Sequence, residues 1–269
     1  MGKQLLQLIG LNFRKWTANS RVWMIFFIEF AYLWISTIDI KELAVSKGIG
    51  ISCFYFVIWN NEMFGRLLMF LGIVVLFCNA PFLDDQQLFV IGRVGKKTWF
   101  LGQLIYMFLA SAVYFLVMAV FCILRYFPYI GFSTGWGDVI KYKVDNVEIV
   151  ENFSPIPSML MVYGICVAVG FFLGLVICYV NLYKKGTLGI VIAAVFVVFT
   201  YLIKMFDLEF SRRLMLFSLV DWCDLNNYVP TDYLSFVTIP YVVGILVVAN
   251  GLLLTANYRK AKSFIVETS

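Results

Sequence analysis

The sequence contains a long uncharged stretch, TWFLGQLIYMFLASAVYFLVMAVFCIL, at residues 98–124. A helix needs roughly 20 apolar residues to cross the roughly 30 Å of hydrocarbon in a bilayer. Residues 98–124 meet that length, and five other stretches have a similar apolar composition. We therefore predict an all-α polytopic membrane protein. Its six transmembrane helices are expected at about residues 22–38, 67–82, 98–124, 158–182, 187–203 and 236–257.

The composition agrees with this class. Hydrophobic residues make up 62% of the chain and charged residues 14%, with a mean hydropathy of +0.89. Soluble domains carry about 25% charged residues. The sequence has no histidine, which excludes imidazole metal ligands and histidine-based catalysis. We expect neither a metal site nor a resident cofactor on this chain.

Two apolar segments outside the six stretches are too short to cross a bilayer. Residues 1–20 contain an amphipathic helix with Arg14 and Lys15 on its polar face, a pattern typical of helices that lie in the membrane interface. The Gly48–Trp59 segment is predicted to be interfacial or re-entrant. The sequence leaves open whether Cys53 and Cys223 form a disulfide, because spacing along a chain does not show proximity.

Basic residues predict the orientation of the chain in the plasma membrane. With both termini in the cytoplasm, the short inner segments are rich in lysine and arginine, as the positive-inside tendency requires. The long outer loops 125–157 and 204–235 then hold most of the acids. The segment from Lys204 to Tyr233 is expected to dip into the outer leaflet or to cap the helix bundle. The net charge of +5 reflects this orientation, so no nucleic-acid partner is expected.

The inner loop 79–99 combines acids, an apolar helical turn and a basic turn. Asp84 or Asp85 can cap a short helix over residues 86–91, and Gly92 and Gly95 allow a tight turn. This combination predicts a docking site for a cytosolic partner, formed by Asp84, Asp85, Gln86, Gln87, Leu88 and Phe89, with Arg93, Lys96 and Lys97 beside it. The glycine spacing does not fit a phosphate-binding loop. We therefore expect a chain that is not an enzyme and does not hydrolyse ATP itself.

Glu29 lies midway along the first predicted span. A carboxyl group at this depth is energetically costly and is often functional. It could bind a cationic substrate, carry a proton or orient a helix. It could equally be a protonated acid that is hydrogen-bonded to a neighbouring helix, and the sequence leaves these alternatives open.

The inner loop resembles that of membrane subunits of ATP-binding-cassette type-2 exporters, particularly small bacterial ones. The resemblance rests on Asn79-Ala-Pro-Phe-Leu-Asp-Asp, Arg93-Val-Gly-Lys-Lys-Thr-Trp and Leu101-Gly-Gln103, together with the general layout of the chain. It implies that residues 1–20 form an elbow helix and that the docking residues form a coupling helix. It also implies a separate ATPase subunit that binds ATP and Mg²⁺, and a second permease, either identical or related.

The function implied by this resemblance is export of an amphipathic substrate, such as an antimicrobial or signalling peptide or a lipid-like compound. The alternative is a non-transporting immunity or sensor protein that binds a peptide through its outer loops. An intramembrane enzyme is a third class, and it would need several polar residues clustered at one depth.

Overall fold

The structure is a computed structural model that describes residues 2–82, 85–141, 147–183, 187–205, 214–229 and 237–267. The fold is all-α, apart from two strands of two residues each. The α-helices are α1 (Gly2–Ala18), α2 (Ser20–Ser36), α3 (Ile38–Lys47), α4 (Tyr55–Asn61), α5 (Met63–Leu76), α6 (Asp85–Val94), α7 (Lys96–Tyr126), α8 (Asp138–Lys141), α9 (Val147–Asn152), α10 (Pro155–Tyr183), α11 (Leu188–Met205) and α12 (Ile239–Glu267).

Three helices in the described part of the chain are long and apolar enough to cross a membrane: α7, α10 and residues Ile239–Ser263 of α12. The pair α2 and α3 would be a fourth if it forms one span, although a 50° bend separates the two helices. The apolar helices α5 and α11 are shorter. Candidate spans thus number three to four, and a crossing by α5 or α11 stays a prediction.

Helix α5 ends earlier than the sequence predicts, at Leu76 instead of about Phe82. The backbone carbonyls beyond this point are bound by another helix. The side-chain amide of Asn181 on α10 donates to the carbonyl of Cys78 at 3.2 Å and to that of Ala80 at 2.7 Å. Because Asn181 satisfies these carbonyls, the chain can leave the helix without burying unpaired acceptors.

Helix α10 forms the centre of the bundle and packs against α5, α7, α11 and α12. Of an apolar stretch of 18 residues in α10, 72% is buried inside the protein, whereas 11% of the corresponding stretch of α12 is buried. Gly170 allows the closest approach, since a Cβ at that position would lie 2.6 Å from Ile73 Cδ1 on α5. This contact explains why a small residue is needed at the centre of the bundle.

Two asparagines set the register between α10 and α12. Asn250 on α12 donates to the carbonyl of Ala168 at 3.4 Å, and Asn257 donates to that of Leu175 at 3.1 Å. Both contacts join residues that are 82 positions apart in sequence. Because this separation is unchanged over two turns, α10 and α12 run in parallel. Helix α11, which connects them in sequence, must therefore run in the opposite direction.

Helix α1 packs along the first turns of α7. Its buried residues are Leu8, Asn12 and Trp16, and the amide of Gln103 on α7 donates to Asn12 Oδ1 at 3.4 Å. The helix, Gly2–Ala18, lies within the residues 1–20 that were predicted to contain it. Its location in a membrane interface stays a prediction.

The ends of α1, α7 and α12 also show which parts of the chain lie together. Phe100 near the start of α7 packs against Tyr258 near the end of α12, with ring centroids 6.5 Å apart. Both described terminal helices therefore meet the same end of the bundle, which we call the terminal end. Which side of the membrane this end faces stays a prediction.

The opposite end of the bundle, which we call the loop end, is built from short elements. Strand β1 (Ile51–Ser52) pairs in parallel with β2 (Ile130–Gly131), and α4 follows β1. Most of the Gly48–Trp59 segment is buried in the chain. It forms a turn, a strand and a short helix, and no helix in it is long enough to cross a bilayer.

The described part of segment 204–235, residues 214–229, forms three short 3₁₀ turns at Met215–Phe217, Asp221–Cys223 and Leu225–Tyr228. These turns contact α4, α9 and α10, so residues 214–229 cover the loop end. This arrangement agrees with the expectation of a cap. The cysteines at 53 and 223 are both free thiols, which excludes the disulfide that the sequence left open.

Candidate functional site

A buried ion cluster attaches residues 214–229 to the bundle. Arg66 in the first turn of α5 is fully buried. Its Nη2 lies 3.0 Å from Asp221 Oδ1, and its Nη1 lies 3.0 Å from Asp224 Oδ2. Nη1 also donates to the carbonyl of Asn60 at 2.7 Å. The guanidinium therefore joins α4, α5 and the 3₁₀ turns at one point.

Uncharged hydrogen bonds surround this cluster. The amide of Asn60 donates to the carbonyl of Cys223, and Asn61 Oδ1 accepts the N–H of Leu225 at 2.9 Å. Ser218 donates to Asp221 Oδ2 at 3.2 Å. Because charged and neutral bonds hold the same turns, the cap is attached along its length and not through one contact.

Burial keeps the Cys223 thiol and the Tyr228 hydroxyl of the cap in their neutral form. It raises the pKa of the Cys223 thiol well above its usual range, and it also raises the pKa of the Tyr228 hydroxyl. A neutral thiol is a poor nucleophile. These two groups therefore serve packing and hydrogen bonding, and the chemistry of the cluster is electrostatic anchoring.

Sequence reasoning missed this cluster. None of Arg66, Asp221 and Asp224 is among the site residues that the sequence predicts. Two signals were present: an arginine at the start of an apolar helix, and two aspartates three residues apart. Their meeting was not predictable, because 155 residues separate Arg66 from Asp221.

Glu29 lies where α2, α5 and α7 meet, and it is 1% exposed. Tyr114 Oη lies 3.3 Å from Glu29 Oε1 and 2.9 Å from the carbonyl of Met69. The single hydroxyl proton of Tyr114 can serve only one of these oxygens. If it goes to the closer Met69 carbonyl, the contact with Glu29 is a hydrogen bond only when Glu29 carries a proton. The geometry therefore fits the alternative of a protonated acid that orients neighbouring helices.

Gly72 on α5 makes the approach to Glu29 and Tyr114 feasible. A Cβ at this position would lie 2.5 Å from Tyr114 Oη and 3.0 Å from Glu29 Oε1. Any side chain here would push the two polar groups away from α5. Nothing in the sequence indicates this contact, since a glycine in an apolar helix is common.

The predicted docking residues lie at the terminal end of the bundle. Asp84 lies outside the described residues, and the backbone of residues 85–88 forms the first part of α6. The helix extends to Val94, so Gly92 is helical and does not form the expected turn. The turn occurs at Gly95 alone, which has a φ of +82° and separates α6 from α7. Only glycine adopts this conformation readily.

The described side chains of this region face outward. Phe89 is 83% exposed, and Arg93, Lys96 and Lys97 are exposed as well. Lys96 and Lys97 also line a cleft of about 160 Å³ together with Phe100, Tyr258 and Lys262. Lys96 and Lys97 at the start of α7 therefore lie next to the end of α12.

No protein-family model, curated protein or solved structure matches this chain. Its fold defines it as an all-α protein with three to four helices that are long and apolar enough to cross a membrane. Its function must be inferred from its own residues.

Proposed function

We propose that the chain is the membrane permease subunit of an exporter that is driven by a separate ATPase. The observation that supports this most directly is α6. It is a short helix at the terminal end, it contains Asp85 to Phe89 of the segment that resembles a coupling helix, and its Phe89 is 83% exposed. Phe89 and the exposed Arg93 are four residues apart on α6, so they share one face of the helix. We propose that this face contacts the ATPase subunit.

Two polar contacts would carry a movement of α6 into the bundle. The backbone preceding α6 is bound by Asn181 on α10, through the carbonyls of Cys78 and Ala80. The residues following α6 begin α7, which contacts α1 through Gln103 and Asn12. A force on α6 would thus reach both the centre of the bundle and the N-terminal helix. Alternating access by movement of packed helices needs connections of this kind.

The substrate in this proposal is amphipathic, such as an antimicrobial or signalling peptide or a lipid-like compound. The support is the aromatic composition, with 27 Phe, 15 Tyr and 7 Trp. The permease would pair with a second copy or a related chain. The apolar face of α12 that is unburied in the single chain is available for this pairing.

The first experiment is affinity purification of the tagged chain in mild detergent, followed by mass spectrometry and an ATP-hydrolysis assay. We expect a stoichiometric subunit with nucleotide-binding motifs. Phe89→Ser, and separately Asp84→Ala combined with Asp85→Ala, should reduce recovery of that subunit without lowering expression. The matched controls lie at the loop end: Phe132→Ser, at a side chain that is 76% exposed, and Glu148→Ala combined with Glu151→Ala.

A second experiment tests transport in proteoliposomes with a fluorescently labelled amphipathic peptide. We expect ATP-dependent movement that the Phe89→Ser variant loses and the Phe132→Ser variant keeps. A fully active particle without any ATPase would refute the proposal. Cysteine labelling that places residues 84–99 outside the cell would refute it too. Peptide binding at the loop end without transport would instead favour the immunity or sensor alternative.

A further inference from the structure

Arg125 is a buried cation with an unusual set of partners. It lies in the last turn of α7 and is 3% exposed. Its Nε donates to Thr37 Oγ1 at 3.1 Å, and its Nη2 donates to the carbonyl of Trp34 at 3.2 Å. Its guanidinium carbon lies 4.3 Å from the centroid of the Trp34 ring. Among the residues that the structure describes, no carboxylate lies within 4 Å of it.

Arg66, which is also buried, shows what Arg125 lacks among the described residues, namely a carboxylate partner. Arg66 has two carboxylates at 3.0 Å, as expected for a charge removed from water. Arg125 has a hydroxyl, a carbonyl and an aromatic face in their place. Within the described part of the chain, its charge is therefore stabilised only by neutral groups, and a bound anion would complete its environment.

A cleft of about 460 Å³ lies beside Arg125. It occurs where α2 and α3 meet at their 50° bend. Lys41 also lines this cleft. Its Nζ donates to the carbonyl of Arg125 at 3.4 Å and lies 5.4 Å from the Trp34 ring centroid. The remaining lining includes one carboxylate and apolar side chains, namely Glu42, Trp34, Ile38 and Val45.

The charged side chains that line the cleft are not balanced, so a ligand with one negative charge would neutralise them. Lys41 and Arg125 contribute two positive charges and Glu42 one negative charge, so one positive charge remains. A phosphodiester carries a single negative charge, and arginine binds phosphate oxygens well. The apolar lining suits a ligand with a hydrocarbon tail.

The position of the cleft also favours a lipid. Arg125 ends a helix of 31 residues that is long enough to cross a bilayer. Trp34 lies near the end of α2 and is 46% exposed. Tryptophan and arginine at the ends of spanning helices lie at the level of the lipid headgroups. A phosphate at this depth would reach both cations.

We propose that the cleft between α2, α3 and the end of α7 binds the headgroup of one anionic phospholipid. The phosphate contacts Arg125 and Lys41, and the hydrocarbon tail lies along Ile38 and Val45. This site is independent of transport and of the ATPase. It would fix the bend between α2 and α3 to the surrounding bilayer.

Native mass spectrometry of the full chain can test this proposal. The purified protein is incubated in detergent with phosphatidylglycerol or phosphatidylcholine, with and without excess inorganic phosphate. We expect one retained phosphatidylglycerol that Arg125→Gln and Lys41→Gln each weaken. The loss of one cation near a membrane surface corresponds to about a fivefold decrease in affinity. Lys47→Gln removes a charge from the same helix outside the cleft, so it should keep the lipid.

Lys41 is partly exposed, so Lys41→Gln tests the site even if Arg125→Gln fails to fold. Equal retention of phosphatidylglycerol by Lys41→Gln and the unmodified chain would overturn the proposal. Displacement of the lipid by inorganic phosphate would show a site for free anions and would also overturn it. Equal retention of phosphatidylcholine would exclude the requirement for an anionic lipid, with the same consequence.

Discussion

Replacing Arg66 with methionine should destabilise the protein severely, because methionine keeps much of the volume but removes the charge. Asp221 and Asp224 would then lose the guanidinium that lies 3.0 Å from each of them. Three hydrogen bonds to a charged group set a ceiling of about 4.5–9 kcal/mol, at about 1.5–3 kcal/mol each. Breaking a buried ion pair by removing one partner costs about 3–5 kcal/mol. We expect a loss in that lower range.

The assay is reversible unfolding in mixed micelles with increasing dodecyl sulfate, followed by circular dichroism. Labelling of Cys223 provides a local measurement, because this thiol is fully buried beneath the ion cluster. The unmodified chain should protect Cys223 from maleimide, whereas Arg66→Met should expose it. Peptide mass mapping separates Cys223 from the other thiols.

Two further variants decide whether the orphaned carboxylates cause the loss. Adding Asp221→Asn and Asp224→Asn to Arg66→Met removes both unpaired charges, so part of the stability should return. Arg14→Met is the matched control, since Arg14 is exposed on α1 and its loss should change stability by no more than about 0.5 kcal/mol. The reasoning is wrong if Arg66→Met costs less than about 1 kcal/mol, the range of an exposed pair.

Three other predictions concern contacts between helices. Gly72→Ala should cost about 1–3 kcal/mol, because its Cβ would meet Tyr114 Oη at 2.5 Å; Gly244→Ala, where nothing lies within 4 Å, should be neutral in the same unfolding titration. Glu29→Gln should change stability by less than about 1 kcal/mol if the carboxyl is already protonated, since the amide keeps its shape; a loss comparable to Arg66→Met would indicate a charged carboxylate. Asn181→Ala should cost about 1–3 kcal/mol by leaving the carbonyls of Cys78 and Ala80 unpaired, and hydrogen exchange should rise in residues 77–82 but not at the loop end.

Apolar length predicted the long helices because it is a local property. The stretches at 98–124 and 158–182 became α7 and α10, each within three residues of the predicted ends. A bilayer leaves few alternatives to a helix for such segments. The same reasoning placed the C-terminal end of the second stretch too late. Asn181 binds the backbone carbonyls of residues after Leu76, and no local feature of the sequence indicates an asparagine on another helix.

Long-range pairing accounts for most of what the sequence could not predict. The β1–β2 pair joins Ile51 to Ile130, and neither strand has the length or alternation that indicates a strand. Arg125 is not among the site residues that the sequence predicts. Its environment depends on Thr37 and Trp34, which are more than 80 positions away. Proximity of this kind is not visible from one sequence.

The parallel pairing of α10 and α12 has a consequence for assembly. During synthesis α12 becomes available only after α10 and α11, and it must then find the correct turn of α10 among many similar apolar ones. Apolar surfaces distinguish poorly between neighbouring turns of a helix. Two amides at matched spacing distinguish between them, because each must reach its own carbonyl. Sliding by one turn, about 5.4 Å, would break both interhelical hydrogen bonds at once and leave each amide only its bond within α12. Two residues of the last helix, Asn250 and Asn257, thus specify its register against α10.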